Sequence, residues 1–371
     1  MENTSSELSS SSSAGIELSS DGEADKTKPP TNGSQRDVIT LVLLLTTVAV
    51  SCLLVYNFSD NPLMVWKINW FSQNQTSFKP REPVTELERV LMNAAMEDKT
   101  VIITALNEAW VAPNSIFDLF LESFRIGNGT ERLLKHVIGV CLDSKAYDRC
   151  LQLHPHCYFI NATDSDKLSR ANNFMTSGYL KLIWRRMNFL KDVLDLGYDF
   201  IFTDADILWF RDPFPRFFPD IDFQIACDYY KGNSSDKSNW VNSGFTYVKA
   251  NSKTIKFYKF WCGSRWRFGG RKHDQDVFNL IKGDPYVEKI GIKMRFFDTL
   301  YFGTFCHPSK DINVVNTMHA NCCKGLNSKT RYLNEILGVW KKYLSETKML
   351  GNTTMAESKW KRGHRCGRHV R

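Results

Sequence analysis

"FIFTDADILWF", residues 200–210, wraps an apolar, β-prone run around two aspartates one residue apart. Carboxylates are costly to place beside a core, so Asp204 and Asp206 need a reason to be there. They follow the strand-like stretch YDFIF, residues 198–202, and ligands of open α/β sheets bind beyond the carboxyl ends of strands. In extended chain, positions i and i+2 share a face, so both aspartates address one crevice while Ala205 turns the other way. Two carboxylates this close repel unless a cation joins them. All-oxygen ligation suits Mg²⁺ or Mn²⁺. A cation held there can carry a diphosphate and stabilise the charge that grows on a departing nucleoside diphosphate. The rival reading is that the pair only caps a turn.

Outward from this stretch the chain alternates strand and helix. TELE at 85–88 fits a capping box that starts a helix running to about Asp98. TVIITAL (100–106) and HVIGVCLD (136–143) read as buried strands. A helix is expected over 113–127, with Pro near its start and Gly127 at its end, and a long amphipathic one over 172–195. Later strand candidates are 222–230, 241–250, 292–299 and 312–321, with helices near 252–267, 274–282 and 327–346. The early alternation implies a parallel α/β sheet. The later group implies a mixed extension of that same sheet, in one domain over residues 84–350.

Residues 1–37, rich in Ser, Gly, Pro and acidic groups in their first 35 positions, read as a disordered tail. Val38–Tyr56 then carries no charge and spans roughly 28 Å as a helix, close to the hydrocarbon thickness. A cleaved signal peptide has a shorter apolar run and a shorter lead, so a retained anchor is expected. Lys26, Lys28 and Arg36 precede it and the next basic residue is Lys67, which keeps the N-terminus cytosolic. The rest then lies in a lumen: a stem over 57–83, the domain, and a basic tail over 351–371. Six sequons beyond the span, at Asn57, Asn74, Asn128, Asn161, Asn233 and Asn352, and nine of ten cysteines agree with that compartment. Cys141, Cys150 and Cys157 form a local cluster, whereas adjacent Cys322 and Cys323 can hardly bridge each other. The basic tail reads first as a solvated end. Nothing in the composition, with its moderate net charge of +8, calls for nucleic acid.

YDFIFTDADILWFRDPF resembles the DxD segment of plant nucleotide-diphospho-sugar transferases, a family that includes arabinosyl- and xylosyltransferases acting on cell-wall polymers and glycoproteins. VIITALNEAW, FMTSGYLKLIWRRMNFLKDVL, VNSGFTYVKA, HDQDVFN and HANCC match in the expected order across roughly residues 100–345. The resemblance implies a GT-A fold, with a Rossmann-like, mostly parallel central sheet flanked by helices. It also implies a type II Golgi anchor, a UDP-sugar donor such as UDP-arabinose, UDP-xylose or UDP-galactose, a glycan or glycoprotein acceptor, a divalent cation that is usually Mn²⁺, and retention of anomeric configuration. Homo- and hetero-oligomers both stay open.

The remaining candidates rest partly on residues and partly on that resemblance. His319 follows an apolar strand, and its imidazole suits Mn²⁺; by resemblance it completes the cation shell with Asp204 and Asp206. Thr104, Ala105, Leu106 and Asn107 close the first strand, where the resemblance puts the nucleotide; Asn107 and Glu108 alternatively cap a turn. Lys181 and Arg185 share a helix face, so one of them meets phosphate or both are solvated. Asn242, Ser243 and Gly244 offer short polar groups and a strand glycine, which marks close approach of a ligand or backbone. Asp274 fits an N-cap, which leaves Gln275 and Asp276 without a structural reason. By resemblance this loop faces the donor sugar, and no nucleophile is assigned among the three. The aromatic run 257–270 reads as core packing, with Trp266 and Phe268 beside an acceptor groove as the alternative. Two other classes compete: a haloacid-dehalogenase-type phosphatase, which also sets DxD after a strand, and a glycan-binding scaffold that has lost catalysis.

Overall fold

The computed structural model describes residues 33–59, 85–160 and 176–349. The far N-terminal tail, most of the stem, the C-terminal tail and the sequons at Asn74, Asn161 and Asn352 lie outside the described residues. The chain divides into two units, Met1–Arg81 and Glu82–Arg371. In the first, Gly33–Ser59 is one helix of 27 residues. Its side chains are described over 40–53, and Leu41, Leu43, Leu44, Leu45 and Leu53 are all exposed. Among the described residues no helix is long and apolar enough to cross a membrane.

In the second unit, unbroken β-prone segments pair in parallel at the centre of the main sheet. They are β1 (Thr100–Leu106), β2 (Val137–Cys141) and β4 (Asp199–Thr203). β3 (Cys157–Phe159) extends this side parallel to β2. Beyond β4 come β7 (Trp240–Val248), β6 (Phe223–Tyr229) and β8 (Met294–Phe296), giving the order β3-β2-β1-β4-β7-β6-β8. β7 is antiparallel to both neighbours and β8 is parallel to β6. The result is a mixed α/β fold with a mostly parallel central sheet.

The last strand candidate departs from expectation. Only Thr317–His319 of residues 312–321 is a strand (β10), and it does not join the main sheet. It lies between β5 (Ile207–Trp209) and β9 (Phe302–Thr304) in a separate three-stranded sheet. The cause is local. The Asp204 N–H donates to Gly244 O at 2.7 Å and the Ile207 N–H to Asp204 O at 3.1 Å. That turn takes the chain off β4 and aims β5 at β10.

Helices and loops cover both faces. Thr85 and Glu88 form the expected capping box, but their helix ends at Ala94, short of Asp98. A short helix, Glu108–Val111, precedes Ile116–Ile126. Thr176 caps the long helix Ser177–Asp195, and the chain's last described helix is Leu326–Met349. One face packs Phe117, Phe120, Phe124, Trp209 and Trp340. The other packs Phe200, Phe223, Tyr258, Trp261 and Phe278, so the aromatic run from 257 is core as far as Trp261. Cys150 pairs with Cys157 and Cys306 with Cys322. Cys141 stays a buried free thiol, pushed far above its usual range by burial and by Asp143. Cys323 is also disulfide-bonded.

Phe223 is fully buried and its ring meets Phe257, Tyr258, Trp261 and Phe278. Phe223→Ala is expected to cost about 3–5 kcal/mol, read as a clearly lowered midpoint in thermal or denaturant unfolding. A loss under about 1 kcal/mol would show that this ring is not a core anchor.

Candidate active site

β4 ends on Thr203, and the turn that follows places Asp204 and Asp206 on one side. Ala205 turns away into the apolar cluster, as the alternation requires. His319 arrives from the small sheet, where it pairs with Ile207, and the Ala320 N–H donates to Asp206 O at 3.0 Å. One atom each from Asp204, Asp206 and His319 lies within 4.8 Å of the others. His319 Nε2 is 3.2 Å from Asp206 Oδ1 and 3.7 Å from Asp204 Oδ2.

Three observations fit a divalent cation here. Asp206 Oδ1 is buried without a hydrogen-bond partner. The donor set is two carboxylates and an imidazole, which suits Mn²⁺. Gly244 borders the group: a Cβ there would stand 2.5 Å from His319 Cε1 and 2.6 Å from Asp204 Oδ2. Ordinary residues cannot fill that space, which fits the strand glycine's expected role.

The surrounding charges are largely matched. Arg186 is buried on the long helix and bridges two carboxylates, Asp204 at 3.0 Å and Asp274 at 2.6 Å. Its guanidinium also stacks on Phe202 at 4.5 Å. The Lys329 ammonium contacts Asp206 Oδ2 and lies 5.7 Å over the Trp110 ring. Burial pushes the Asp206 carboxyl up, but Lys329 and His319 outweigh it and hold it well below the usual range. Arg186, with His273, does the same for Asp274 against its burial.

Next to this lies a polar cage. Asn242 Nδ2 donates to Asp228 Oδ1 at 2.9 Å and Gln275 Nε2 to Asp228 Oδ2 at 2.8 Å; Asn321 Nδ2 also donates to Oδ1. The Ser243 N–H donates to Gln275 Oε1 at 3.3 Å, tying β7 to the helix Asp274–Ile281. Burial raises the Asp228 carboxyl, against these hydrogen bonds and His319.

The structure thus brings Asp204, Asp206, His319, Asn242, Ser243, Gly244, Asp274 and Gln275 together. Asp274 is the first helical residue rather than the N-cap, which is His273 without a side-chain cap bond. Asp276 is 38 % exposed and faces His273 at 3.5 Å, outside the cluster. Asn107 caps the short helix by accepting from the Trp110 N–H at 3.2 Å. Thr104 and Leu106 are buried, the Thr104 hydroxyl without a hydrogen-bond partner, and Ala105 is half-buried. Lys181 is exposed, and Arg185 donates to Ile160 O at 2.9 Å. Their neighbour Arg186 is the basic residue of this helix that reaches the site, where it pairs with carboxylates. Its signal was an arginine on the apolar side of the helix, between Ile183 and Leu190. Lys329, Asp228 and Asn321 were also missed. Asp228 carried a readable signal, an acid ending the apolar run FQIAC just as Asp204 ends YDFIF. Trp266 is exposed and shows no contact with this cluster.

A family model described as nucleotide-diphospho-sugar transferase matches residues 132–333. An uncharacterized Arabidopsis thaliana protein is 48% identical over 299 residues, 80% of this chain and 77% of its own length. A second uncharacterized protein of that plant is 36% identical, over 77% of this chain and 84% of its own. A UDP-galactose:fucoside alpha-3-galactosyltransferase of Dictyostelium discoideum is 27% identical over 32% of this chain and 22% of its own.

Two substitutions test this geometry. Gly244→Ala is expected to weaken Mn²⁺ binding by about tenfold or more (on the order of 1.4 kcal/mol) in a calorimetric titration, with the circular-dichroism spectrum unchanged. Unchanged affinity would mean the glycine does not border the cation. Arg186→Met leaves two carboxylates unmatched, and is expected to destabilise the unit by about 3–5 kcal/mol in denaturant unfolding; a neutral result would remove Arg186 as the bridge.

Proposed function

The chain belongs to the nucleotide-diphospho-sugar transferase family and is a glycosyltransferase; from that premise we propose that it moves a pentose such as arabinose or xylose, or galactose, from a UDP-sugar to a cell-wall glycan or glycoprotein, with Mn²⁺ or Mg²⁺ as the resident cation. The observation that carries this reading is the group Asp204, Asp206 and His319 around the space left by Gly244. These three residues would hold the cation, which when bound neutralises charge on the donor's diphosphate. The rest of the chemistry belongs to the chain. Asp206 stays ionised because Lys329 offsets its burial. Arg186 keeps Asp204 and Asp274 in fixed directions. Asn242, Ser243 and Gln275 tie β7 to the helix Asp274–Ile281 and fix Asp228 beside the cation-binding group. The Dictyostelium relative's galactosyl transfer to a fucoside supports a sugar acceptor.

The phosphatase reading is set aside with the family, and the cation-binding group argues against a scaffold. The uncharged stretch Val38–Tyr56, with Lys26, Lys28 and Arg36 before it and Lys67 the next basic residue after it, supports a type II membrane anchor with the catalytic unit luminal, in the Golgi by family resemblance.

The test uses the full chain in detergent with Mn²⁺ and UDP-galactose, UDP-xylose, UDP-arabinofuranose or UDP-glucose. Slow hydrolysis of one donor is expected, abolished by EDTA and reduced at least about 100-fold in Asp206→Asn, a loss of the size expected for a key electrostatic group. Cation-independent turnover, or an Asp206→Asn variant equal to the parent, would overturn the assignment.

A further inference from the structure

The carboxylates at the site are not treated alike. Asp204 and Asp274 share Arg186, and Asp206 holds Lys329. Asp228 differs: among the described residues no cation pairs with it, and its three side-chain partners are the neutral amides of Asn242, Gln275 and Asn321. A carboxylate withdrawn from water without a counter-charge is costly. The chain nonetheless builds three amides around this one.

Those amides have no freedom to turn over. Asn242 Oδ1 accepts from the Gly244 N–H at 2.9 Å. Gln275 Oε1 accepts from the Ser243 N–H. Asn321 Oδ1 accepts from the N–H groups of Phe305 at 3.1 Å, Cys306 at 3.3 Å and Cys322 at 2.9 Å. With each carbonyl end engaged by backbone donors, each NH₂ end must point at Asp228. Donors alone surround it, and donors favour the ionised form. Oδ1 accepts twice and Oδ2 once, so of roughly four acceptor positions one remains, on Oδ2.

The position of this anion matters. Asn242 touches Asp228 with one end, and with the other borders the space beside Gly244 that Asp204 and His319 also line. One side chain therefore separates Asp228 from the cation group. We propose that Asp228 is the carboxylate that answers the positive charge developing at the donor's anomeric carbon during transfer. The proposal rests on the sugar-transfer reading above. In the step, the bond from that carbon to the diphosphate oxygen breaks and its electron pair leaves with the diphosphate. The acceptor's hydroxyl oxygen, or water in hydrolysis, forms the new bond, and its proton passes to the departing diphosphate. Asp228 forms no bond. It offers fixed negative charge where positive charge appears, while the cation group answers the opposite charge on the leaving group.

The experiment uses the full chain in detergent with Mn²⁺ and whichever of UDP-galactose, UDP-xylose, UDP-arabinofuranose and UDP-glucose the parent hydrolyses fastest. Asp228→Asn is expected to lower kcat by about 10²–10³-fold, with KM within about threefold and with Mn²⁺-dependent UDP affinity unchanged. Asp228→Ala is expected to show the same loss, and added sodium formate should restore its kcat at least about tenfold, because a small anion can occupy the emptied cage. Formate should leave the parent unaffected. A kcat within about tenfold of the parent in Asp228→Asn overturns the proposal. So does a loss confined to KM, which would make Asp228 a grip on a sugar hydroxyl. If both variants lose UDP affinity, or if formate restores nothing, the carboxylate is structural and the proposal is overturned. A parent that binds no UDP with Mn²⁺ and hydrolyses no donor overturns the sugar-transfer reading first, and this proposal with it.

Discussion

The Arg186 guanidinium is the interaction on which the site depends. Asp204 and Asp274 reach the same pocket from a strand end and from a helix start far apart in sequence. Left alone they would repel and draw up each other's protons. Arg186 is always charged and forked, so one side chain holds both, at 3.0 and 2.6 Å. Its own burial is tolerable because both carboxylates pair with it, and the guanidinium also stacks on Phe202. The helix therefore orients Asp204 and Asp274 through a single group. This explains why a charged residue sits where the helix's periodicity calls for an apolar one.

Much of this was legible in the chain. The run FIFT with its two aspartates announces a strand end and a carboxylate pair, and both aspartates face one side because Ala205 must pack inward. The capping box at Thr85, the β-branched strands β1 and β2, and the long helix follow from local chemistry alone. The failures are nonlocal. Residues 312–321 look like one strand, yet only three of them pair, because their partner is β5 and not the main sheet. No local pattern announces β5. Its three residues complete the motif's apolar run, and only the Asp204 turn separates them from β4.

The missed site residues share that cause. Asn321 and Lys329 carry no local signal, Arg186 and Asp228 only a faint one, and all four become specific through partners 93, 123, 18 and 14 positions away. Periodicity offers one usable rule in retrospect: a charged residue on the buried side of a strong amphipathic helix is a better site candidate than its exposed neighbours. Lys181 and Arg185 were attractive because they lie four apart, but that spacing is also what a solvated face or a link to a loop carbonyl needs.

The smaller sheet deserves more weight in the function than its nine residues suggest. Four consecutive positions at and after the end of β10 deliver His319 to the Asp206 carboxylate, the Ala320 amide to the Asp206 backbone, Asn321 to Asp228, and Cys322 to its bond with Cys306. The main sheet supplies the aspartates, and this segment supplies what they need on the other side. Because Asn321 Oδ1 gathers three backbone N–H groups from both arms of the disulfide-linked loop, the direction of its amide is set by that loop rather than by Asp228. The segment thus holds His319 beside Asp206 and Asn321 against Asp228 on one piece of backbone. Detaching that segment would remove His319 and Asn321 together and leave Asp206 and Asp228 without them, so the site is complete only where β10 meets the strands of the main sheet.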